Sequence, residues 1–285
     1  MSPAAEGSPV RVRLDLAYDG GAFHGWAAQP GLRTVEGVLS EALATLIRRP
    51  VKLTVAGRTD AGVHAAQQTV HVDLTDAEWQ GLPRRSAEDP ATVLIRRLSG
   101  VLAGEDGAVV VYAAQRVGTD FDARFAALSR RYIYRIADHL EARSPLRRAD
   151  TAWHRQRLDE LLMHAEAASV LGLHDFGSFC RPRETGTTIR QLQEFTVRRD
   201  TDGVIRAEVT ADAFCHHMVR ALVGAVMEVG EGRRSPGWLA ERLETPSWDE
   251  KVRLAPARGL TLAGVEYPQA DQLAARTAQT RAVRR

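Results

Sequence analysis

The sequence predicts an α+β fold built from two ferredoxin-like halves, each with an antiparallel sheet. Three observations carry this. Val10 to Tyr18 and Ser129 to Ala137 alternate apolar and polar residues, the period of a half-buried strand. Val35 to about Arg48 and Leu158 to Leu171 repeat apolar residues at spacings of three and four, the period of an amphipathic helix. The first half then reads β-α-β-β-α-β, and the second half repeats that theme.

The chain has 285 residues, of which 44% are apolar, enough for two ordinary domains with real cores. The expected division is a segment 1–9 that is small, proline-broken and disordered, domains at 10–117 and 118–269, and a basic, flexible tail at 270–285. The formal net charge is only +2, so any nucleic-acid surface must come from the distribution of charge. Two cysteines, Cys180 and Cys215, are too few for a disulfide framework. No apolar run approaches the roughly 18 residues of a membrane span, and no charged-then-apolar leader opens the chain. A soluble, cytoplasmic protein with no membrane partner is expected.

The elements follow in order. The first strand ends at Asp19-Gly20-Gly21, a turn signal, before an aromatic loop containing Phe23 and Trp26. Thr34 suits the cap of the first helix, and Arg48 and Arg49 suit its C-terminal end. Val51 to Val55 reads as a short strand, and Gln68 to Leu74 as an alternating one. Residues 76–92 are charged, broken by Pro83 and Pro90, and read as a surface excursion. A helix at Val93–Leu102 and a strand at Ala108–Gln115 complete the first half. In the second half, Leu158, Leu161, Leu162, Ala165 and Ala168 form the expected apolar stripe of its first helix. Thr188–Arg198 and Val204–Ala211 flank a hairpin turn at Asp200–Gly203. Helices at His216–Val229 and 236–244 and a closing strand at Leu260–Tyr267 finish the fold.

The stretch with the most chemical promise is Gly57-Arg58-Thr59-Asp60-Ala61-Gly62-Val63-His64-Ala65. Glycines on both sides of Asp60 suit a tight, exposed turn at a strand end. A carboxylate beside the Arg58 cation stays ionised and can serve as nucleophile or general base. A turn aspartate bonding its own backbone is the plain structural alternative. Three further stretches stand out. In Arg130-Arg131-Tyr132-Ile133-Tyr134, aromatics beside arginines can stack a base and hold phosphate, or simply form one buried strand face. Tyr132 and Tyr134 share strand parity, so spacing does not separate them. In Phe214-Cys215-His216-His217-Met218-Val219-Arg220, consecutive helical positions diverge, which argues against a metal site. Gly259-Leu260-Thr261-Leu262 is a glycine before an apolar strand. There is no Walker motif and no dinucleotide fingerprint.

Read together, these motifs resemble the TruA-type tRNA pseudouridine synthases. The resemblance covers nearly the whole chain: Tyr18-Asp19-Gly20 with Gly25-Trp26, the full loop at 57–65, and Phe121-Asp122-Ala123-Arg124-Phe125. It continues through Arg130-Arg131-Tyr132-Ile133-Tyr134, His174-Asp175-Phe176, Phe214–Arg220 and Gly259–Leu262. The chain departs from the family at 76–107, where Arg97 to Gly104 replaces a Leu-Pro-x-Asp-Ile-type segment.

The resemblance implies isomerisation of uridine to pseudouridine at nucleotides 38 to 40 in the anticodon stem-loop of tRNA. It also implies a pseudosymmetric fold with an active-site cleft between the halves, and a homodimer. No cofactor and no metal are implied. Asp60 would be the catalytic carboxylate, either attacking the sugar or taking a proton from it. Arg220 would pair with Asp60, and Tyr132 would stack on the target base. Arg58 would fill the gap left by the extruded nucleotide, and Leu260 would wall the base pocket. Two rival readings are a non-catalytic tRNA-binding or chaperone protein on the same scaffold and a metal hydrolase using Asp60, His64, His71 and Asp73.

Overall fold

The computed structural model describes residues 9–84, 86–182, 186–246 and 252–281. The expected disorder before residue 9 lies outside the described residues, as do Arg284 and Arg285 of the expected tail. The chain is α+β, its strands mostly antiparallel, and it divides into two units. One unit runs to Leu128 and resumes at Val265, while the other runs from Ser129 to Gly264.

The first unit contains β1 (Val10–Tyr18), α1 (Val35–Ile47), β2 (Thr54–Val55), β3 (His64–Leu74), α2 (Asp76–Gly81), α3 (Pro90–Val101) and β4 (Val109–Val117). Its strands lie in the order β4-β1-β3, with β2 beside β3, all antiparallel. Val10, Val12, Leu14, Leu16 and Tyr18 of β1 are buried, while the residues between them are half-buried. Slipping the register by one residue would exchange the two faces, so this alternation fixes the pairing. Thr34 Oγ1 accepts the Gly37 N–H at 3.2 Å and starts α1, whose buried residues are Val35, Leu39, Ala42 and Leu43. Asp89 accepts the Thr92 N–H at 3.2 Å, with Pro90 in the first turn of α3. The segment read as a surface excursion holds α2 instead. Thr75 and Glu78 form a reciprocal capping box, and Trp79 and Leu82 bury their side chains.

The second unit contains β5 (Ser129–Ala137), β6 (Ala152–Trp153), α4 (Glu160–Ser169), β7 (Gly172–Asp175), β8 (Ile189–Arg199), β9 (Ile205–Ala211), α5 (Met218–Gly230), α6 (Trp238–Glu244) and most of β10 (Leu260–Glu266). The strand order is β10-β5-β9-β8-β7, with β6 parallel to β5. The face expected to be buried on α4 is not the one that packs. Leu161 is 77% exposed, and Met163, Glu166 and Ala167 point inward. Buried Glu166 accepts the backbone N–H groups of Gly237 and Leu239, at the start of α6, which satisfies its carboxylate away from water. In α5 every residue except Arg220 and Glu228 is buried, as befits a helix that is apolar nearly all round. Cys180 and Cys215 form one disulfide, their Cα atoms 5.6 Å apart, which ties the turn after β7 to the segment entering α5.

Asp138, whose side chain is fully buried, joins the end of β5 to α4 and β8. Burial pushes its carboxyl upward, but hydrogen bonds from Arg199, the Leu158 N–H and His139 outweigh that and hold it well below the usual carboxylate range. A carboxyl depressed in the folded state stabilises the protein above its unfolded pKa of about 3.9, and that contribution fades as pH falls towards the folded value. Urea midpoints measured from pH 7 to pH 3 should therefore drop at the acid end. Asp138→Asn should flatten part of that drop and cost about 3 kcal/mol at pH 7, because it leaves a mostly buried guanidinium with only Glu160 as its carboxylate partner.

The C-terminal segment returns to the first unit and is not a loose tail. Tyr267 donates its hydroxyl to the Ala123 carbonyl at 2.7 Å. Residues Leu273–Arg281 form α7, from which Arg276 donates to the Ala127 carbonyl and Arg281 to Asp122. Arg13 lies 5.1 Å from the Tyr267 ring centroid and 5.6 Å from that of Phe121. The segment thus covers part of the sheet face that carries Arg13.

Candidate active site

Asp60 sits half-buried in the coil between β2 and β3. Its loop is held at several points by backbone bonds. Ala56 N–H donates to Thr69 O at 2.9 Å, Trp26 N–H to Thr59 O at 3.0 Å, Gly62 N–H to Phe23 O at 3.3 Å and Val63 N–H to Asp60 O at 3.1 Å. Two glycines allow the aromatic loop to press against it. A Cβ on Gly20 would lie 1.9 Å from Val63 O, and one on Gly25, where φ is +88°, would lie 2.9 Å from Thr59 O. The motifs Tyr18-Asp19-Gly20 and Gly25-Trp26 are therefore one structural unit with the Asp60 loop. Arg58 is exposed, and among the described residues its side chain has no hydrogen-bond or ion-pair partner. It is not the fixed cation beside Asp60 that the sequence suggested.

Beneath the loop lies a buried polar chain that the sequence did not reveal. Gln68, fully buried, donates to Gly57 O at 2.8 Å and to the Tyr18 hydroxyl at 3.2 Å. That leaves the Tyr18 proton for Thr59 Oγ1, 2.8 Å away. Burial pushes the Tyr18 phenol up to about 12, so it keeps that proton at neutral pH. Tyr18→Phe would strand Thr59 and Gln68 in the core. We expect a loss of about 1–3 kcal/mol in urea denaturation and a lower kcat from a loosened Asp60 loop.

The second unit positions the other sequence-identified residues. Tyr132 is 7% exposed on β5, opposite Val209, and meets the Phe214 ring edge-on at 5.2 Å. Tyr134 has the same parity but no exposure, and its hydroxyl donates to Pro256 O at 2.8 Å. Burial raises its pKa as well. Burial and hydrogen bonding thus assign Tyr134 to the core, which parity could not do. Arg220 is half-buried in the first turn of α5 and donates from Nε to Ala255 O at 2.8 Å. One turn later a Cβ on Gly224 would lie 1.8 Å from Arg253 O, so glycine there lets the 253–255 segment approach and receive Arg220. Leu260 is buried at the start of β10. Gly259, just before it, packs so closely on Tyr134 that a Cβ would meet the ring at 2.7 Å. His217, at φ 69°, delays the start of α5 to Met218, two residues later than the periodicity suggested.

Three of the four residues of the metal-hydrolase alternative are otherwise engaged. His64 Nδ1 accepts the Gly20 N–H at 3.1 Å, and His71 Nδ1 accepts the Ala123 N–H at 3.0 Å. Asp73 is gripped by Arg11 through two 2.7 Å bonds. Each is a structural partner on its own part of β3.

Comparison with known proteins decides the family. A chain named tRNA pseudouridine synthase A from Leifsonia xyli subsp. xyli is 51% identical over 96% of this chain and 98% of its own length. This chain belongs to the tRNA pseudouridine synthase A family. A relative of the same name from Frankia casuarinae is 53% identical over 96% of each chain, and one from Corynebacterium glutamicum is 47% identical over 96% of this chain and 95% of its own. Independently, the tRNA pseudouridine synthase family pattern matches residues 167–268, which carry α5 and Arg220. The similarity to the relatives extends well beyond that region and takes in the Asp60 loop. The divergent segment at 76–107 therefore lies within a family member and does not remove it from the family.

Proposed function

We propose that this chain isomerises uridine to pseudouridine at positions 38, 39 and 40 in the anticodon stem-loop of tRNA. The observation that carries the reading is an Asp60 loop clamped by two close-packed glycines within a chain about half identical to named tRNA pseudouridine synthases. The reaction breaks the N1–C1′ bond of uridine and the C5–H bond of the base and forms C5–C1′ and N1–H in their place, so no atom is gained or lost and there is no net redox change. Asp60 is the catalytic carboxylate. Tyr132, Arg220, Arg58 and Leu260 bind the extruded nucleotide. Tyr132, nearly buried, packs perpendicular to the Phe214 ring, which fixes its orientation. Arg220 is tethered through Nε to Ala255 O, which fixes the direction of its guanidinium. Arg58, exposed and unheld, can follow the RNA backbone as the nucleotide turns out, an extrusion that costs a few kcal/mol.

Each of the two units, with boundaries near Leu128 and Gly264, contributes residues to this function, on two ferredoxin-like halves. The protein works as a homodimer in the cytoplasm and has no need of a cofactor. The test is pseudouridine formation in a tRNA transcript with a chelator present, followed by mapping of the modified positions. Product at 38 to 40 supports the reading. Tight tRNA binding without product would instead establish the non-catalytic tRNA-binding alternative.

A further inference from the structure

The first unit carries a second, separate cationic feature at the opposite end of α1 from the Asp60 loop. The N-terminus of α1 is tied to that loop, since Val35 N–H donates to Gly25 O at 3.2 Å and Trp26 N–H to Thr59 O at 3.0 Å. The helix has 13 residues, so its far end lies about 20 Å away at 1.5 Å per residue. There Arg48 after α1, Arg97 and Val101 on α3, and Arg84 line a shallow depression of about 400 Å³. Among the described residues, its lining includes three arginines and no carboxylate.

Apart from Arg58 at the Asp60 loop, several other arginines of the unit are paired. Arg11 is paired with Asp73, Arg33 with Glu105, Arg49 with Glu78 and Arg96 with Glu88. Among the described residues, the side chains of Arg48, Arg84 and Arg97 have no hydrogen-bond or ion-pair partner. Two of the three also stand where the backbone favours glycine, at φ 66° for Arg48 and φ 56° for Arg84. A cation at the end of α1 is explained for Arg48 by the helix dipole. That does not account for Arg84 or Arg97. Three like charges around one hollow repel each other, and an anion there relieves the repulsion. Among the described residues, the lining has no aromatic ring on which a base could stack. The site is therefore suited to phosphate and not to base edges.

We infer that Arg48, Arg84 and Arg97 bind the phosphate backbone of the tRNA substrate away from the nucleotide that reacts, and so supply affinity without sequence preference. The inference rests on the tRNA reading above, because it takes the polyanion to be the substrate itself. It predicts an effect on Kd and KM and none on kcat.

The test is a triple variant with Arg48→Gly, Arg84→Gly and Arg97→Ala, in which glycine suits the two left-handed positions. Its thermal midpoint is compared with wild type to confirm folding. tRNA affinity is then measured across salt concentrations. The expected result is Kd and KM raised about tenfold near 0.1 M salt, with kcat kept. The slope of log affinity against log salt should fall by about one for each phosphate that the variant no longer neutralises. Unchanged affinity and slope would overturn the inference, as would a fall in kcat with affinity intact. Should wild type make no pseudouridine while the triple variant still binds tRNA more weakly, the phosphate site stands and the catalytic reading fails.

Discussion

Asp60→Ala is expected to abolish pseudouridine formation while leaving tRNA affinity within about twofold of wild type. A positioned general base contributes about 10²–10⁴ in rate, and a residue that acts as part of a catalytic unit often more, so kcat should fall at least a hundredfold. Affinity should survive because the RNA backbone is held chiefly by cations and not by this carboxylate. Asp60→Asn is the stricter version. It preserves shape and the backbone bond from Val63 N–H to Asp60 O, so a comparable loss would come from the missing charge and not from a disturbed loop. The measurement is single-turnover product formation on a tRNA transcript, with affinity from filter binding on the same preparations. Retained activity in both variants would remove Asp60 from the chemistry.

How far the sequence could be read depended on whether a residue's neighbours were local. The strands β1 and β5 were legible to the residue, because period-two burial is a property of the strand itself. The start of α1 was legible in Thr34 for the same reason. The Thr75–Glu78 capping box was also present in the sequence, but Pro83 and Pro90 obscured it. The α4 face was misread because five apolar residues do make a stripe, yet the helix packs mainly on β8 and α5, where Met163 meets Gly230, and turns Glu166 to cap α6. No periodicity reveals a glutamate buried to cap another helix. The docked α7 was illegible on the same ground, since Arg276 and Arg281 are basic wherever they sit, and only the Ala127 carbonyl and Asp122 make them structural. In the candidate site, Asp60, Tyr132 and Arg220 stand in motifs visible in the sequence, and their roles are those proposed above. The Tyr18–Thr59–Gln68 chain was not legible, because it joins three separate segments through side-chain atoms.

The glycines that clamp the Asp60 loop should be nearly as sensitive as Asp60 itself. In Gly20→Ala the new methyl would stand 1.9 Å from the Val63 carbonyl oxygen, a backbone atom that cannot rotate away. The turn after β1 or the entry to β3 must shift, and the Gly20 N–H bond to His64 Nδ1 would shift with it. In Gly25→Ala the methyl would meet Thr59 O at 2.9 Å, and the residue would also have to hold φ at +88°. At Gly25 the left-handed backbone alone costs a non-glycine residue about 1–2 kcal/mol and the overlap adds to it, so a loss of about 2–4 kcal/mol is expected there, whereas at Gly20 the overlap alone should cost about 1–3 kcal/mol. Because the strain falls on Thr59 and Val63, either side of Asp60, kcat should drop by more than tenfold even where the protein still folds, as a small misplacement of a reacting group can cost a hundredfold. Gly57→Ala is the matched control. It lies in the same loop, has nothing within 4 Å of the added methyl, and should keep both stability and activity. Equal losses at 57 and 20 would mean that the loop needs flexibility. Losses at 20 and 25 alone would mean that it needs the close approach of the Gly20 and Gly25 backbone, which holds Asp60 in one position for the reaction.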